Sequence, residues 1–133
     1  MEKLEFDGRG AVFGRLASKV AKELLKGKSV EVYNCGEILM SGRLDDVKKE
    51  LLAKIRMGKG GSLKGPKYPR NAEKLVKRMI RGMLPWDRTR GREAYRRLRC
   101  FVGEGKNMLR PKEFKYNSLR KAVSINQIIG GLK

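Results

Sequence analysis

The sequence predicts an α/β protein, because a strand, a helix and a second strand follow one another near its start. Residues 4–6 and 30–33 show the short apolar patterning of strands. Between them, over residues 14–26, apolar side chains recur at helical spacing, and Gly27 ends the run. A helix that joins two strands in this way implies a parallel pair with a right-handed crossover.

The later elements are predicted from the same periodicities. A short apolar run at 38–40 precedes an amphipathic helix over 44–55, whose first turn holds Asp45 and Asp46, where the helix dipole favours anions. A third helix spans 72–83 and is stopped by Pro85. Residues 94–98 predict a short helix, residues 100–102 a buried strand and residues 119–123 another strand. Ser124 is placed to cap a last helix through residues 127–129.

Length and charge indicate one domain in three parts. A chain of 133 residues and 15.1 kDa supports a single core over residues 1–133. Of its net charge of +19, residues 1–55 carry +2, residues 56–99 carry +12 and residues 100–133 carry +5. We therefore interpret 1–55 as the scaffold, 56–99 as a surface for a polyanionic partner, and 100–133 as a C-terminal part without a clear pattern.

Missing residue types exclude several kinds of chemistry. The sequence has no histidine, and its two cysteines, Cys35 and Cys100, are far apart in the chain. It therefore predicts no metal site, no cofactor and no disulfide, with both thiols acting as small buried side chains. No apolar run exceeds three residues and the first residues are charged, so neither a membrane helix nor a secretory signal is expected and the predicted compartment is the cytoplasm.

Two glycine-rich stretches resemble nucleotide-binding loops only in part. Gly8, Gly10 and Gly14 have the spacing GxGxxxG rather than GxGxxG, and Asn34 follows the next strand where an acidic residue is expected. Residues 58–62 lack the Gly-Lys-Ser/Thr ending and the preceding strand of a phosphate loop. A nucleotide-dependent enzyme is therefore the weaker alternative.

The basic segment favours nucleic acid as the partner. A surface of a single charge sign repels itself unless phosphates neutralise it, and arginine suits both phosphates and bases. Two basic loops are predicted, over residues 56–70 and 84–92, the second with a basic turn around Gly91. Tyr68 and Trp86 lie within these loops, where each ring either packs or stacks on a base. No helix-turn-helix, zinc-finger or basic-zipper pattern is present, so folded RNA fits better than DNA. A protein that condenses nucleic acid without RNA specificity is the other alternative.

Five segments in order resemble the large-ribosomal-subunit protein L-thirteen family. Residues 80–103 read I-R-G-M-L-P, five residues, G-R, five residues and L-R-C-F-V-G, which is similar to the family signature. Residues 14–17 (GRLA), 32–34 (VYN), 40–43 (MSGR) and 65–70 (GPKYPR) are similar to its other elements. The Gly-Pro segment fits the archaeal and eukaryotic branch. The resemblance covers residues 5–103, and Cys100 and residues 104–133 depart from it.

The resemblance implies a three-layer α/β/α fold with a small four-stranded parallel sheet. It also implies a structural protein without catalysis, which binds large-subunit rRNA, contacts neighbouring ribosomal proteins and uses no membrane or small-molecule substrate. We predict that the basic loops and the helix faces around them touch RNA, with Gly82 and Gly91 allowing close approach or a tight turn. The predicted RNA-binding residues are Arg70, Lys77, Arg78, Arg81, Arg88, Arg90, Arg92 and Arg96, followed by Lys59, Lys64 and Lys67.

Overall fold

The predicted strand, helix and strand unit forms the centre of the fold. A computed structural model describes residues 2–57, 69–111 and 121–130. In it β1 (Lys3–Asp7) and β2 (Ser29–Tyr33) pair in parallel, joined by α1 (Phe13–Leu25). The α1 side chains that the helical spacing singled out, Leu16, Val20 and Leu24, have no exposed surface. Burial of this apolar face holds the helix on the sheet.

The third strand of the main sheet begins two residues earlier than the sequence predicts. Strand β4 (Leu98–Cys100) pairs in parallel with β2 and gives the order β1-β2-β4. The apolar run over 100–102 suggested the strand, but Leu98 is its fully buried residue and lies opposite Val30. Pairing with β2 therefore decides the boundary, rather than local hydrophobicity.

The α/β class is confirmed, but the expectation of four parallel strands is wrong for the residues that the structure describes. Strand β3 (Leu39–Ser41) pairs antiparallel with β5 (Ala122–Ser124) in a separate two-stranded sheet. The reason lies in the turn after β2, where Asn34 has a left-handed backbone (φ 56°) and a 3-10 turn at Cys35–Glu37 redirects the chain. Beyond β1 the main sheet gains one parallel bridge, from Phe6 to Leu109.

Four further helices complete the described fold: α2 (Leu44–Ile55), α3 (Ala72–Arg81), α4 (Thr89–Arg96) and α5 (Ile125–Gly130). Helix α1 packs on β2 and α3 packs on β4, and the two helices also contact each other. The predicted third helix is two residues too long, because the amides of Gly82 and Met83 bond three residues back and tighten the last turn. The described residues contain no helix that could span a bilayer.

The predicted cap of the last helix is present in a reciprocal form. The Gln127 amide donates to the Ser124 hydroxyl at 3.3 Å, and the Ser124 amide donates to the Gln127 side-chain oxygen at 3.0 Å. This is a capping box, which satisfies two amides that the helix itself leaves without acceptors. It explains how a helix of six residues starts directly after β5.

Both cysteines are free thiols, and they lie near each other although they are distant in sequence. Cys35 is fully buried and its amide donates to the carbonyl of Phe101 at 3.1 Å, next to Cys100. A hydrogen bond with Cys35, together with burial, raises the pKa of the half-buried Cys100 thiol. The thiol form is therefore favoured, and both residues act as small apolar side chains.

A buried carboxylate ties the end of α1 to the start of β2. Glu23 has a side chain that is only 5% exposed, and its oxygens lie 2.9 Å from the Lys28 ammonium and 3.4 Å from those of Lys19 and Lys26. The hydrogen bond from Lys28 outweighs burial and lowers the pKa of Glu23 to about 2. One buried charge is thus compensated by three lysines.

We expect Glu23 to make the free energy of unfolding decrease as the pH falls from about 5 to about 2. Its pKa lies lower in the folded chain than in the unfolded chain, so the unfolded chain binds more protons in this range and stability falls as the pH falls. Urea unfolding across this range is expected to show a shallower pH dependence for Glu23→Gln than for the wild type. Glu50→Gln, which changes an exposed carboxylate, serves as the control. Parallel profiles for Glu23→Gln and wild type would contradict the assignment.

Candidate nucleic-acid interface

Helix α3 separates an apolar face from a cationic face. Leu75, Val76 and Ile80 are fully buried or nearly so. On its other positions the helix carries four cations, of which the first is exposed and the other three are half-buried: Lys74, Lys77, Arg78 and Arg81. Because the apolar side is held by the core, the helix must present these cations towards the surface.

Two of these cations are positioned by aromatic rings. The Arg81 guanidinium lies 3.9 Å from the centre of the Trp86 ring, and the Lys77 ammonium lies 4.7 Å from that of Tyr95. The two rings meet edge to face, with centres 5.1 Å apart. These contacts between cations and rings hold the long side chains of Lys77 and Arg81, which would otherwise be mobile. One face of Trp86 is therefore covered by Arg81, so its packing role is established while the ring stays partly exposed.

Helix α4 replaces the basic turn that the sequence predicts around Gly91. The expected turn is wrong because Arg90, Gly91 and Arg92 form the first turn of a helix that starts at Thr89. Its cations Arg88, Arg92 and Arg96 are exposed and spaced by four residues. They therefore follow one another along one side of the helix, about 6 Å apart along its axis.

The predicted close approach at Gly91 is present, and the neighbour is protein backbone. Gly91 is buried, and a Cβ atom built there would lie 2.0 Å from the carbonyl oxygen of Pro85. Glycine thus lets α4 pack directly on the turn that follows α3. Gly82, in contrast, ends α3 and donates its amide to Met79 at 3.2 Å.

Two arginines of this region hold the end of α1. The Arg97 guanidinium donates to the carbonyls of Leu24 at 2.6 Å and Lys28 at 3.3 Å, and Arg90 donates to that of Leu25 at 3.4 Å. These carbonyls include acceptors that the last turn of a helix leaves open. Arg97 is therefore structural, whereas Arg90 was predicted to bind RNA and has a structural contact as well.

Charge compensation divides the described molecule into two regions. The acidic residues of β1, α1 and β2 form ion pairs with nearby lysines and arginines. Arg78 has an interaction of its own within the fold. Among the other lysines and arginines of described residues 69–99, none has a described carboxylate within 4.0 Å. Such a concentration of uncompensated cations is typical of surfaces that bind polyanions.

The placement of the cations at the start of α4 supports the same conclusion. Arg88 occupies the N-cap, Arg90 and Arg92 follow in the first turn, and no acidic residue accompanies them there. The helix dipole disfavours cations at this end by roughly 0.3–1 kcal/mol each when exposed. An anionic partner at this end of α4 would offset this cost.

Eight of the predicted site residues lie in the described part of the chain, on consecutive elements. Arg70 is exposed before α3, and α3 and α4 meet where the Lys77 ammonium lies over the ring of Tyr95. Lys59, Lys64 and Lys67, with Tyr68, lie outside the described residues. The turn at 8–14, in contrast, has Arg9 paired with Glu37 and Glu104, and Asp7 accepts from Asn34 at 2.8 Å and lies 2.5 Å from Arg110.

Sequence reasoning missed cations on α1, which it treated as scaffold. Arg15, Lys19 and Lys22 border an open groove beside the turn after α3. Their spacing of four and three residues was visible in the sequence and places them on one helix face. Only the fold shows that this face borders the basic region.

Comparison with known proteins gives consistent matches. The model of the family described as "Ribosomal protein L13" matches residues 2–107. The large ribosomal subunit protein uL13 of Methanopyrus kandleri is 46% identical over 97 residues, covering 73% of this chain and 60% of that protein. The uL13 protein of Archaeoglobus fulgidus is 44% identical over 97 residues, covering 73% and 61%. That of Methanosphaera stadtmanae is 31% identical over 129 residues, covering 92% and 91%. The matches span about three fifths of the length of the first two relatives.

Proposed function

Because this chain belongs to the ribosomal protein L13 family, we propose that it is a structural constituent of an archaeal-type large ribosomal subunit. In this proposal it acts in the cytoplasm on the ribosome and catalyses no reaction. It binds folded large-subunit rRNA and lies beside other large-subunit proteins. Residues 1–55 serve as the scaffold, and residues 56–99 supply most of the RNA-binding surface.

The observation that carries the proposal is the set of cations on α3 and α4, Arg78 apart, that have no described carboxylate within 4.0 Å. Arg81 is held against Trp86, and Arg88, Arg92 and Arg96 follow the exposed side of α4. A cation that is already held in place, as Arg81 is by Trp86 and Lys77 by Tyr95, loses little side-chain entropy when it meets a phosphate. The arrangement therefore suits a folded RNA, whose phosphates are themselves fixed in space, better than a flexible polyanion.

We expect binding to deproteinised archaeal large-subunit rRNA to be strongly salt-dependent. If about eight phosphates are neutralised, log K falls against log salt with a slope of roughly −6 to −7. Fluorescence of Trp86, the single tryptophan, and filter binding at several salt concentrations measure this slope. A slope near −1 would refute the multi-phosphate surface.

Two further measurements separate this function from its alternatives. Competition with duplex DNA tests specificity, since a general condensing protein binds both polymers equally well. In a sucrose gradient of the source lysate with magnesium retained, the untagged protein is expected to sediment with the large subunit through a moderate salt wash. A pool found only in light fractions would overturn the proposal.

A further inference from the structure

The groove on α1 has the size and lining of a ligand site, although it lies on the scaffold part of the chain. It is an open groove of about 800 Å³ between α1 with the residue before it and the turn after α3. Its lining consists of Val12, Gly14, Arg15, Ser18, Lys19, Lys22 and Met83. Ligand sites commonly have volumes of roughly 300–1,000 Å³. It is thus large enough for a segment of a polymer chain.

One side of the groove carries a row of positive charge. Arg15, Lys19 and Lys22 recur at four and three residues, which places them about 6 Å and about 4.5 Å apart along the helix axis. Lys19 lies 3.4 Å from Glu23, but that carboxylate also pairs with Lys26 and Lys28. Arg15 has a further interaction, whereas Lys22 has no described carboxylate within 4.0 Å, so at least the Lys22 charge in this row is uncompensated among the described residues.

The rest of the lining is uncharged and consists of small or apolar residues. Gly14 has no side chain, and the Ser18 hydroxyl donates to the Gly14 carbonyl at 2.8 Å, so its proton is already used. Met83, which is 41% exposed, forms part of the opposite side and lies 3.9 Å from the Ser18 oxygen. A thioether in this setting makes favourable contacts with aromatic rings.

We propose that this groove holds one strand of the large-subunit rRNA, with its phosphates on the cations of α1 and a base against Met83. The combination favours RNA, since a nucleotide strand presents repeated negative charges together with flat aromatic bases. The groove also adjoins the proposed α3 and α4 surface, because Met83 follows α3 and Arg90 of α4 donates to Leu25 near the end of α1. This inference rests on the proposed function and extends its surface to α1.

The test compares three full-length variants for binding to deproteinised archaeal large-subunit rRNA. Arg15→Gln with Lys22→Gln removes two charges and leaves the pair of Lys19 and Glu23 intact. Each phosphate contact contributes about 0.7 to the slope of log K against log salt. The double variant is therefore expected to reduce this slope by about 1.4 and to weaken binding about 25-fold at 0.1 M salt. Ser18→Leu fills the groove without changing charge and is expected to weaken binding at least about 5-fold.

The control is Arg43→Gln with Lys49→Gln, which makes the same charge change at exposed positions before and within α2. It is expected to bind within about 2-fold of the wild type. Equal losses in the control and the α1 double variant, or unchanged binding by Ser18→Leu, overturn the inference. A groove that accepts an acidic segment of a neighbouring protein instead would leave naked-rRNA binding unchanged in both α1 variants.

The outcomes also separate this inference from the proposed function. If wild-type protein prefers rRNA over duplex DNA but the α1 variants bind as it does, the α1 groove is wrong and the ribosomal function stands. If wild-type protein shows no preference for rRNA, the proposed function itself fails. Circular dichroism of each variant confirms that the fold is retained before binding is compared.

Discussion

Replacing Gly91 by alanine is expected to lower the free energy of unfolding by about 2–3 kcal/mol, at the upper end of the usual cost of overpacking. The new Cβ would lie 2.0 Å from the Pro85 carbonyl oxygen and 2.4 Å from its carbon. These are backbone atoms, and the same oxygen already accepts the amide of Arg88 at 3.0 Å. Neither side can yield without moving α4 away from the preceding turn.

The control for this prediction is Gly14→Ala, at the second residue of α1. A Cβ at Gly14 meets no atom within 4 Å, and alanine is the better helix former by roughly 0.5–1 kcal/mol. Thermal or urea unfolding is therefore expected to show opposite signs for two glycine-to-alanine changes in first helical turns. If both variants are equally stable, the close packing of α4 on Pro85 is not a constraint in solution.

Neutralising the exposed row on α4 is expected to weaken rRNA binding without unfolding the protein. Arg88→Gln, Arg92→Gln and Arg96→Gln together would remove three of the proposed phosphate contacts, which corresponds to about 100-fold in affinity at 0.1 M salt and a slope reduced by about 2. Stability is expected to stay the same or rise, because two of the three cations oppose the dipole at the start of α4. Binding and stability thus respond differently to the same substitutions.

Filter binding and thermal unfolding of the same samples check both expectations. The matched control is Arg43→Gln, Lys49→Gln and Lys106→Gln, three exposed cations outside the described surface of α3 and α4. It carries the same change in net charge, so any general electrostatic loss appears in both proteins. A control that loses as much affinity as the α4 variant would show that net charge, rather than this surface, governs binding.

Local patterns were sufficient for most elements and for the location of the basic surface. The spacing of Leu16, Val20 and Leu24 predicts α1, and that of Leu75, Val76 and Ile80 predicts α3, because an apolar face must be buried wherever the helix goes. The excess of arginine over 56–99 likewise predicts a polyanion partner without knowledge of the fold. Ser124 predicts a cap because the interaction spans only three residues.

Contacts between distant segments could not be predicted from local patterns. The apolar run at 38–40 predicts a strand equally well for a parallel or an antiparallel partner, and only its pairing with β5 decides the choice. Arginine composition alone does not distinguish Arg97, which is held by the carbonyls of Leu24 and Lys28, from Arg96, which is exposed. The same charge therefore serves stability at one position and remains available to a partner at the next.

By itself, the sequence determined the α/β class, the helices with their buried faces, and the position of the cationic segment. Each of these depends on the spacing of residues within one element, where the backbone geometry is already set. The tertiary structure alone decided the strand pairing and the close packing of Gly91 on Pro85. It also decided the groove at which Ser18 and Met83, 65 positions apart in the sequence, lie next to each other. These depend on which distant surfaces bury the most apolar area together, and that competition is settled only when the whole chain folds.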